Sequence, residues 1–140
     1  MQSPANEILI NVTLTENPDQ TYTWSYQSEY EGFDSKTGKV TLQDDGLTHI
    51  TYALLGENYN FVYVNLDADV CATRQIHNVA IDTVKNRITL TDANAKGRTG
   101  QKPFSLRLIA RPKGDVDQAI ISPDPEVENN PPNNLPQPQP

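Results

Sequence analysis

Apolar and polar residues alternate along most of this chain, and a period of two is the pattern of half-buried β-strands. The alternation is clearest in two early stretches, which are separated by the turn signal Asn17-Pro18-Asp19. Their apolar faces consist of Ile8, Ile10, Val12 and Leu14, then Tyr22, Trp24 and Tyr26. No window of the sequence shows an apolar stripe at helical spacing, so we predict an all-β protein.

Seven further stretches have the character of short strands, with turn signals at intervals of about 8–12 residues. The predicted strands cover residues 40–42, 48–54, 61–66, 76–84, 88–92, 104–109 and 119–121. Residues 61–66 are apolar on both faces, which favours a central position in a sheet. About eight or nine short strands of this kind predict an antiparallel β-sandwich in preference to a barrel.

Two segments lack this alternation. Residues 28–38 are polar without a clear period, and we expect them to form a long mobile loop. From Asn129 onward the chain is rich in proline, asparagine and glutamine, which predicts a disordered or polyproline II tail. We therefore divide the chain into a β-sandwich domain with a terminal Asp-Pro segment, residues 1–128, and a Pro-rich tail, residues 129–140.

The composition limits the possible functions of the protein more than it limits the possible folds. The 140 residues fit one domain, and a chain of this length can bury an adequate core. Eleven basic residues against eighteen acidic ones give a net charge of −7, which argues against nucleic acid and anionic membranes as partners. No stretch approaches the roughly 18 apolar residues of a membrane helix, and the first residues do not resemble a signal peptide. We expect a cytoplasmic protein.

The usual sets of catalytic and metal-binding residues are missing from the sequence. Cys71 is the only cysteine, so a disulfide within the chain is impossible. His49 and His77 are isolated in predicted strands, and Asp67 and Asp69 lack the further spacing of a calcium loop. The chain has no glycine-rich phosphate loop and no nucleophile-elbow serine. We therefore expect neither a metal nor a cofactor.

One covalent bond of the chain is itself a candidate for chemistry, namely the peptide bond between Asp124 and Pro125. The Asp124 carboxylate can reach its own main-chain carbonyl carbon and close a five-membered ring, and a well-oriented intramolecular nucleophile has a very high effective molarity. Ser122 and Asp124 each precede a proline, so the segment should be extended and stiff. The two prolines also limit pairing, which predicts that the bond sits where a strand leaves its sheet. The alternative is a plain turn, since Asp and Pro are ordinary turn residues.

The segment 120–131, which contains Ser122-Pro123-Asp124-Pro125-Glu126, resembles the carboxyl-terminal signature of the bacterial DP-EP family. The opening strand, Glu7-Ile8-Leu9-Ile10-Asn11-Val12, is similar in a looser way. This resemblance implies a β-sandwich with self-cleaving, self-assembling endopeptidase activity. It also implies that the cut falls between Asp124 and Pro125, and that the freed Asp124 can become linked to a lysine side chain.

Two mechanisms of cleavage fit these residues. In the first, the Asp124 carboxylate attacks its own carbonyl, releases Pro125 and leaves a cyclic anhydride that water or a lysine amine opens. In the second, a separate carboxylate activates water against the same carbonyl. Both need a proton for the Pro125 nitrogen, and two close carboxyl groups can hold one because both cannot ionise cheaply. Two acids are candidates for this role: Glu126 is the nearest in sequence, and Asp92 lies at a strand end. The alternative for Glu126 is an exposed tail charge, and the alternative for Asp92 is a turn residue.

Three upstream lysines are candidates to accept the freed Asp124: Lys102, Lys96 and Lys113. Lys102 is the first choice because it borders the strand that should pair with residues 119–121. In a simple hairpin, however, Asp124 would lie nearer residues 105–107, and Arg107 cannot replace a lysine because its guanidinium stays protonated. If the acceptor belongs to another molecule, covalent multimers form, so the expected partner of this chain is itself.

Two other classes of function remain open from the sequence. A binding or assembly module would use an edge strand or the Pro-rich tail to dock a partner. A structural protein would carry out no chemistry at all. The mass of the intact chain over time separates both from a self-cleaving domain.

Overall fold

The chain folds into two packed β-sheets, described by a computed structural model for residues 6–42, 46–66, 76–94, 104–123 and 125–129. The described residues form no helix, so none of them could cross a membrane in that form. The strands are β1 (Asn6–Glu16), β2 (Tyr22–Gln27), β3 (Val40–Leu42), β4 (Gly46–Leu54), β5 (Tyr59–Leu66), β6 (Ile76–Asp82), β7 (Arg87–Asn94), β8 (Phe104–Pro112), β9 (Ile120–Ile121) and β10 (Glu126–Asn129).

The predicted all-β class is confirmed, but the sheets are mixed where the sequence predicted purely antiparallel ones. Sheet 1 has the order β2-β1-β4-β7-β6, and sheet 2 has the order β3-β10-β8-β5 with β9 also paired to β8. Two pairs are parallel: β1 with β4, and β3 with β10. The first arises because the chain crosses to sheet 2 as β3 before it returns as β4. The second brings together two distant parts of the chain, which alternation cannot reveal.

The core lies between the inner faces of the two sheets, where the alternating apolar residues of the sequence meet. Sheet 1 contributes Ile8, Ile10, Val12, Ile50, Tyr52, Ile88 and Leu90, and sheet 2 contributes Val40, Leu42, Phe61, Val64, Phe104, Leu106, Leu108, Ala110 and Val127. Fully burying one such aliphatic or aromatic side chain contributes roughly 1.5–3 kcal/mol. The predicted apolar face of the first strand is therefore confirmed, and residues 48–54 are confirmed as a strand.

The two apolar faces of residues 61–66 predicted a central strand, and for β5 this prediction is wrong. In the described part of sheet 2 it has one neighbour, β8, and forms the edge. Its pairing with β8 shifts by one residue between Phe61 and Tyr63, which is a β-bulge. The bulge turns two successive side chains outward, so that Val62 is 39% exposed and Tyr63 is 55% exposed. The apolar run in the sequence reflects this local irregularity and not burial on both faces.

The segment 28–38 is a closed turn structure, where the sequence predicted a long mobile loop. Thr41 N–H donates to Gly32 O at 2.8 Å, and Phe33 pairs with Val40 in an isolated antiparallel bridge. Tyr30 and Phe33 pack against the core. The segment has no strand period because its contacts depend on turns and on two scattered aromatic residues.

One end of the sandwich is fixed by Asn86, in the predicted turn between β6 and β7. Asn86 has a left-handed φ of 58°, which asparagine tolerates better than most residues. Phe61 N–H donates to Asn86 Oδ1 at 3.0 Å, and Asn86 Nδ2 donates to Tyr59 O at 2.8 Å. The start of β5 therefore lies beside the start of β7, and we call this the Asn86 end of the sandwich.

Candidate functional site

The candidate bond lies in a gap between two strands that follow one another along β8. Strand β9 pairs Ile121 with Ile109, and β10 pairs Glu126 with Ser105. Both pairings are antiparallel and lie on the side of β8 opposite β5. The chain from β9 to β10 is therefore one interrupted strand, and residues 122–125 form the interruption.

The interruption is a bulge, because four residues of one strand lie opposite three residues of β8, numbers 106–108. Ser122 and Pro125 are buried, whereas Pro123 is exposed. Two residues separate the inward-facing Ser122 from the inward-facing Pro125, where a regular strand would have one. The extra residue restores the alternation that directs Val127 into the core. We call residues 122–125 the Asp-Pro bulge; Asp124 itself lies outside the described residues.

Hydrogen bonds to β8 hold the Asp-Pro bulge on both sides of Asp124. Ser122 N–H donates to Leu108 O at 2.8 Å, and Leu108 N–H donates to Ser122 Oγ at 2.8 Å. On the other side, Leu106 N–H donates to Pro125 O at 3.1 Å. Proline has no N–H and cannot donate a hydrogen bond to β8. At this position Pro125 therefore pairs with β8 only through its carbonyl oxygen.

Strand β10 corrects the prediction that the sheet ends at the Asp-Pro bond. The chain re-enters sheet 2 beyond Pro125 and lies between β8 and β3, with Val127 fully buried. Lys39 Nζ lies 3.2 Å from Glu128 Oε2, which links β10 to the residue before β3. Asn129, assigned to the tail from its composition, is the last residue of this strand. The only sequence signal for β10 is Val127 between two glutamates, which is too short to identify a strand.

Two tyrosines of sheet 1, the partly buried Tyr26 near Ser122 and the fully buried Tyr52, were treated only as parts of strands in the sequence analysis. Tyr26 and Tyr52 lie on either side of β1, beside Val12 and Ile10. Both hydroxyl oxygens are buried and have no hydrogen-bond partner of good geometry among the described residues. Burial raises the pKa of Tyr26 to about 12, and the nearby Ser122 hydroxyl opposes part of that rise. Burial, and then the charge on Tyr26, raise the pKa of Tyr52 further.

Asp92 is a fully buried carboxyl group on the inner face of β7, opposite Thr48 of β4. It lies away from the Asn86 end, because β7 runs from Arg87 at that end to Asn94. Strand β5 runs the same way and ends at Leu66, which pairs with Leu106. Leu106 in turn bonds to Pro125, so Asp92 and the Asp-Pro bulge share one end of the sandwich.

The remaining predicted site residues are placed as follows. Pro125 is buried in the bulge, and Glu126 is half-buried at the start of β10. Asp124, Lys96 and Lys102 lie outside the described residues, as do Cys71, Asp67, Asp69 and the tail beyond Asn129. His49 lies on the outer face of sheet 1, where its Nδ1 is 3.0 Å from Thr91 Oγ1, and His77 lies in β6.

Lys113 is at the wrong end of the sandwich to accept Asp124. It follows Pro112, which pairs with Tyr59 at the Asn86 end, and its N–H donates to Asn58 O at 3.0 Å. Lys113 lies seven positions beyond Leu106 along the chain, a length of about 23 Å at roughly 3.3 Å per residue. Lys113 is therefore removed from the three candidate lysines.

Comparison with known proteins agrees with the resemblance at the Asp-Pro segment and extends it over the fold. The DP-EP family model matches residues 6–131, which include all ten strands and the Asp-Pro bulge. The chain belongs to the DP-EP family. The match places the whole DP-EP sandwich, and not only the terminal signature, within the family pattern. A search of curated proteins finds no match to this DP-EP chain.

Proposed function

We propose that this DP-EP protein cleaves its own Asp124–Pro125 bond. The observation that carries the proposal is the Asp-Pro bulge, which interrupts a strand that is otherwise paired to β8 on both sides. A peptide bond within a regular ladder has its carbonyl committed to pairing, whereas a bulge leaves one residue unpaired. Ser122 and Pro125 fix the two ends, so the reacting groups can be held in one orientation. Such fixed orientation is the main source of intramolecular rate enhancement.

The chemistry follows one of two balanced routes. In the intramolecular route, a carboxylate oxygen of Asp124 bonds to its own carbonyl carbon, the bond to the Pro125 nitrogen breaks, and that nitrogen takes a proton. Water then opens the anhydride to give two carboxyl groups. In the hydrolytic route, water bonds to the same carbon after losing a proton to a second carboxylate, which then passes that proton to Pro125.

Two acids compete for the role of the second carboxylate. Asp92 is the fully buried one, on the inner face of β7. Glu126 is adjacent to the bond and half-buried. The isosteric variants Asp92→Asn and Glu126→Gln separate them, because only the acting residue should lower the cleavage rate strongly, by about 10²–10⁴-fold. If neither variant is slowed, the intramolecular route is favoured.

We propose further that some freed Asp124 forms an isopeptide bond with a lysine, for which Lys102 remains first choice with Lys96 behind it. The amine nitrogen replaces water in opening the anhydride, so this product is one water lighter than the hydrolysed one. A deprotonated amine is required, and partial burial would lower the lysine pKa from its usual value of about 10.4. Lys102→Arg keeps the charge and should abolish the lighter product while cleavage continues. Undiminished lighter product in that variant moves the assignment to Lys96.

The mass of the purified chain over time tests the proposed cleavage. Wild-type protein incubated from mildly acidic to neutral pH should give fragments 1–124 and 125–140. Asp124→Ala should stay intact and folded, because it removes both the nucleophile and the side chain that positions the carbonyl. Asn17–Pro18 is an internal control, since a bond that breaks only through proline weakness would be cut there too. A single intact mass for the wild type after long incubation refutes the proposal.

A non-enzymatic assembly module is the second candidate, and one surface favours it. Tyr63, Ile109 and Ile121 are cross-strand neighbours on the outer face of sheet 2, and Tyr63 and Ile121 are more than half exposed. A second copy of the chain is the partner that this reading predicts. Self-association that Ile121→Ser abolishes, in a chain that never cleaves, would favour this function.

A further inference from the structure

The hydroxyl oxygens of Tyr26 and Tyr52 are both shielded from water, and neither has a hydrogen-bond partner of good geometry in the described part of the chain. The Ser122 hydroxyl approaches that of Tyr26. A buried polar group without a partner costs stability, and phenylalanine would fill almost the same volume without that cost. A hydroxyl that is unsatisfied in the resting state is free to bond to an oxygen that appears later.

The Tyr26 hydroxyl lies near Ser122, the first residue of the Asp-Pro bulge, and Tyr52 is a neighbour of Tyr26. Tyr26 is close enough to the Ser122 hydroxyl for the serine to lower its pKa, and Tyr52 is close enough to Tyr26 to feel its charge. Ser122 is fully buried and bonded to Leu108 of sheet 2. Tyr26 therefore reaches from the inner face of sheet 1 to the bulge in sheet 2, with Tyr52 as its neighbour. A dry interior strengthens any hydrogen bond that they make there.

The protonation state of the Tyr26 and Tyr52 phenols allows them to donate hydrogen bonds. The pKa of Tyr26 is raised to about 12, and burial raises that of Tyr52 as well. Both phenols stay neutral at physiological pH, so each has a proton to donate and neither acts as an acid that gives it away. This is the property of an oxyanion-hole donor, which stabilises charge as it develops on a carbonyl oxygen.

We propose that Tyr26 and Tyr52 donate hydrogen bonds to the oxyanion formed when the carbonyl of the Asp124–Pro125 bond is attacked. This inference rests on the proposed self-cleavage and assigns two catalytic groups to it. When the nucleophile bonds to the carbonyl carbon, the π electrons move to the oxygen, which accepts the two phenol hydrogen bonds. When the tetrahedral centre collapses, those electrons return and the Pro125 nitrogen leaves with a proton from the carboxyl or water. The phenols keep their protons throughout.

The test compares Tyr26→Phe, Tyr52→Phe and the double variant with wild type and with Tyr63→Phe, a control on the exposed outer face. The cleavage rate is measured by intact mass, and the urea midpoint is measured in an Asp124→Ala background. Each inner variant should cleave about 10²–10³-fold more slowly, by analogy with removal of one oxyanion-hole donor. The urea midpoint should stay equal or rise, because an unsatisfied group has been removed.

The outcomes separate this inference from the proposed function. If wild type cleaves and the inner variants cleave at the same rate, the donor role is refuted and the self-cleavage stands. A slower rate with a lowered urea midpoint also refutes it, because the tyrosines would then act only through packing. If wild type never cleaves, the proposed function fails and this inference fails with it. Slow cleavage with an undiminished midpoint supports the donor role.

Discussion

Ser122 and Leu108 are joined by two hydrogen bonds of 2.8 Å, and one of them uses the serine side chain in place of the main chain. In a regular antiparallel pair, Leu108 N–H would donate to the main-chain carbonyl of the opposite residue. Here it donates to Ser122 Oγ. The main-chain carbonyl of Ser122 is thereby released from this pair, and the regular ladder ends at the residue where the Asp-Pro bulge begins.

Ser122→Ala should destabilise the protein by about 1–3 kcal/mol, because it leaves Leu108 N–H buried without an acceptor. The urea midpoint measures this change. Ser25→Ala, at an exposed position on β2, is the matched control and should have little effect. Cleavage should also slow in Ser122→Ala, since one end of the bulge is no longer fixed. Equal midpoints for the two variants would contradict the role given to Ser122 Oγ.

Gly38 supports Tyr26, and two glycine substitutions separate this support from backbone strain. Gly38 and Gly56 have left-handed φ values of 79° and 89°, so alanine at either costs about 1–2 kcal/mol. A Cβ on Gly38 would lie 2.8 Å from the Tyr26 ring, whereas one on Gly56 would meet nothing. Gly38→Ala should therefore lower the urea midpoint more than Gly56→Ala. It should also slow cleavage by moving Tyr26, and equal cleavage rates in the two variants would count against that link.

The fragment 125–140 should stay bound after cleavage, because β10 lies inside sheet 2. Val127→Ala removes a fully buried side chain and should cost about 1–3 kcal/mol, so the fragment should dissociate on size exclusion. Glu128→Gln breaks only the half-exposed ion pair to Lys39, worth about 0–1 kcal/mol, and should retain the fragment. Loss of the fragment from cleaved wild type would show that β10 contributes little to the sheet.

The buried tyrosines should make the fold sensitive to alkali. In the unfolded chain Tyr26 titrates near 10, whereas in the folded protein its pKa is about 12. Below pH 10 both states hold the proton and stability is unaffected. As pH rises from 10 to 12 the unfolded state loses its proton first, which lowers stability by about 3 kcal/mol, and Tyr52 acts in the same direction.

This sensitivity is measured as urea midpoints between pH 9 and 11.5 in the Asp124→Ala background. Tyr26→Phe and Tyr52→Phe should flatten the alkaline decline. Tyr63→Phe, on the exposed outer face, should follow the parent protein. A decline of equal steepness in all four proteins would mean that neither buried hydroxyl is the cause.

The parts of the fold that were predictable are those in which burial follows a local rule. Ile8 and Ile50 lie on strands whose alternation is long enough to identify one buried face. Strand β10 was missed because Val127 is its only inward apolar residue after Pro125, and pairing with β8 and β3 supplies what the sequence lacks. The turn structure around Gly32 was missed because it depends on backbone geometry.

The candidate site likewise has one part that the sequence could predict and one part that it could not. The Asp124–Pro125 bond could be proposed from sequence because the reactivity proposed for it depends on two adjacent residues. The grouping of Tyr52, Tyr26 and Ser122 depends on two strands of sheet 1 and on the Asp-Pro bulge of sheet 2. Nothing in the local pattern distinguishes these tyrosines from core residues that phenylalanine could replace. The distinguishing feature is an unpartnered hydroxyl, which only the packed structure reveals.

The position of β10 also sets the order of events during synthesis. Strand β3 pairs with β10 and has no other strand partner in the described part of sheet 2. During synthesis, β3 therefore cannot pair with its partner strand until β10 has left the ribosome. Under the proposed function, the bond is held for cleavage only after residues on both sides of it have docked on β8. That function would then protect a nascent chain from premature cutting, because the strand that completes the sheet lies on the far side of the bond.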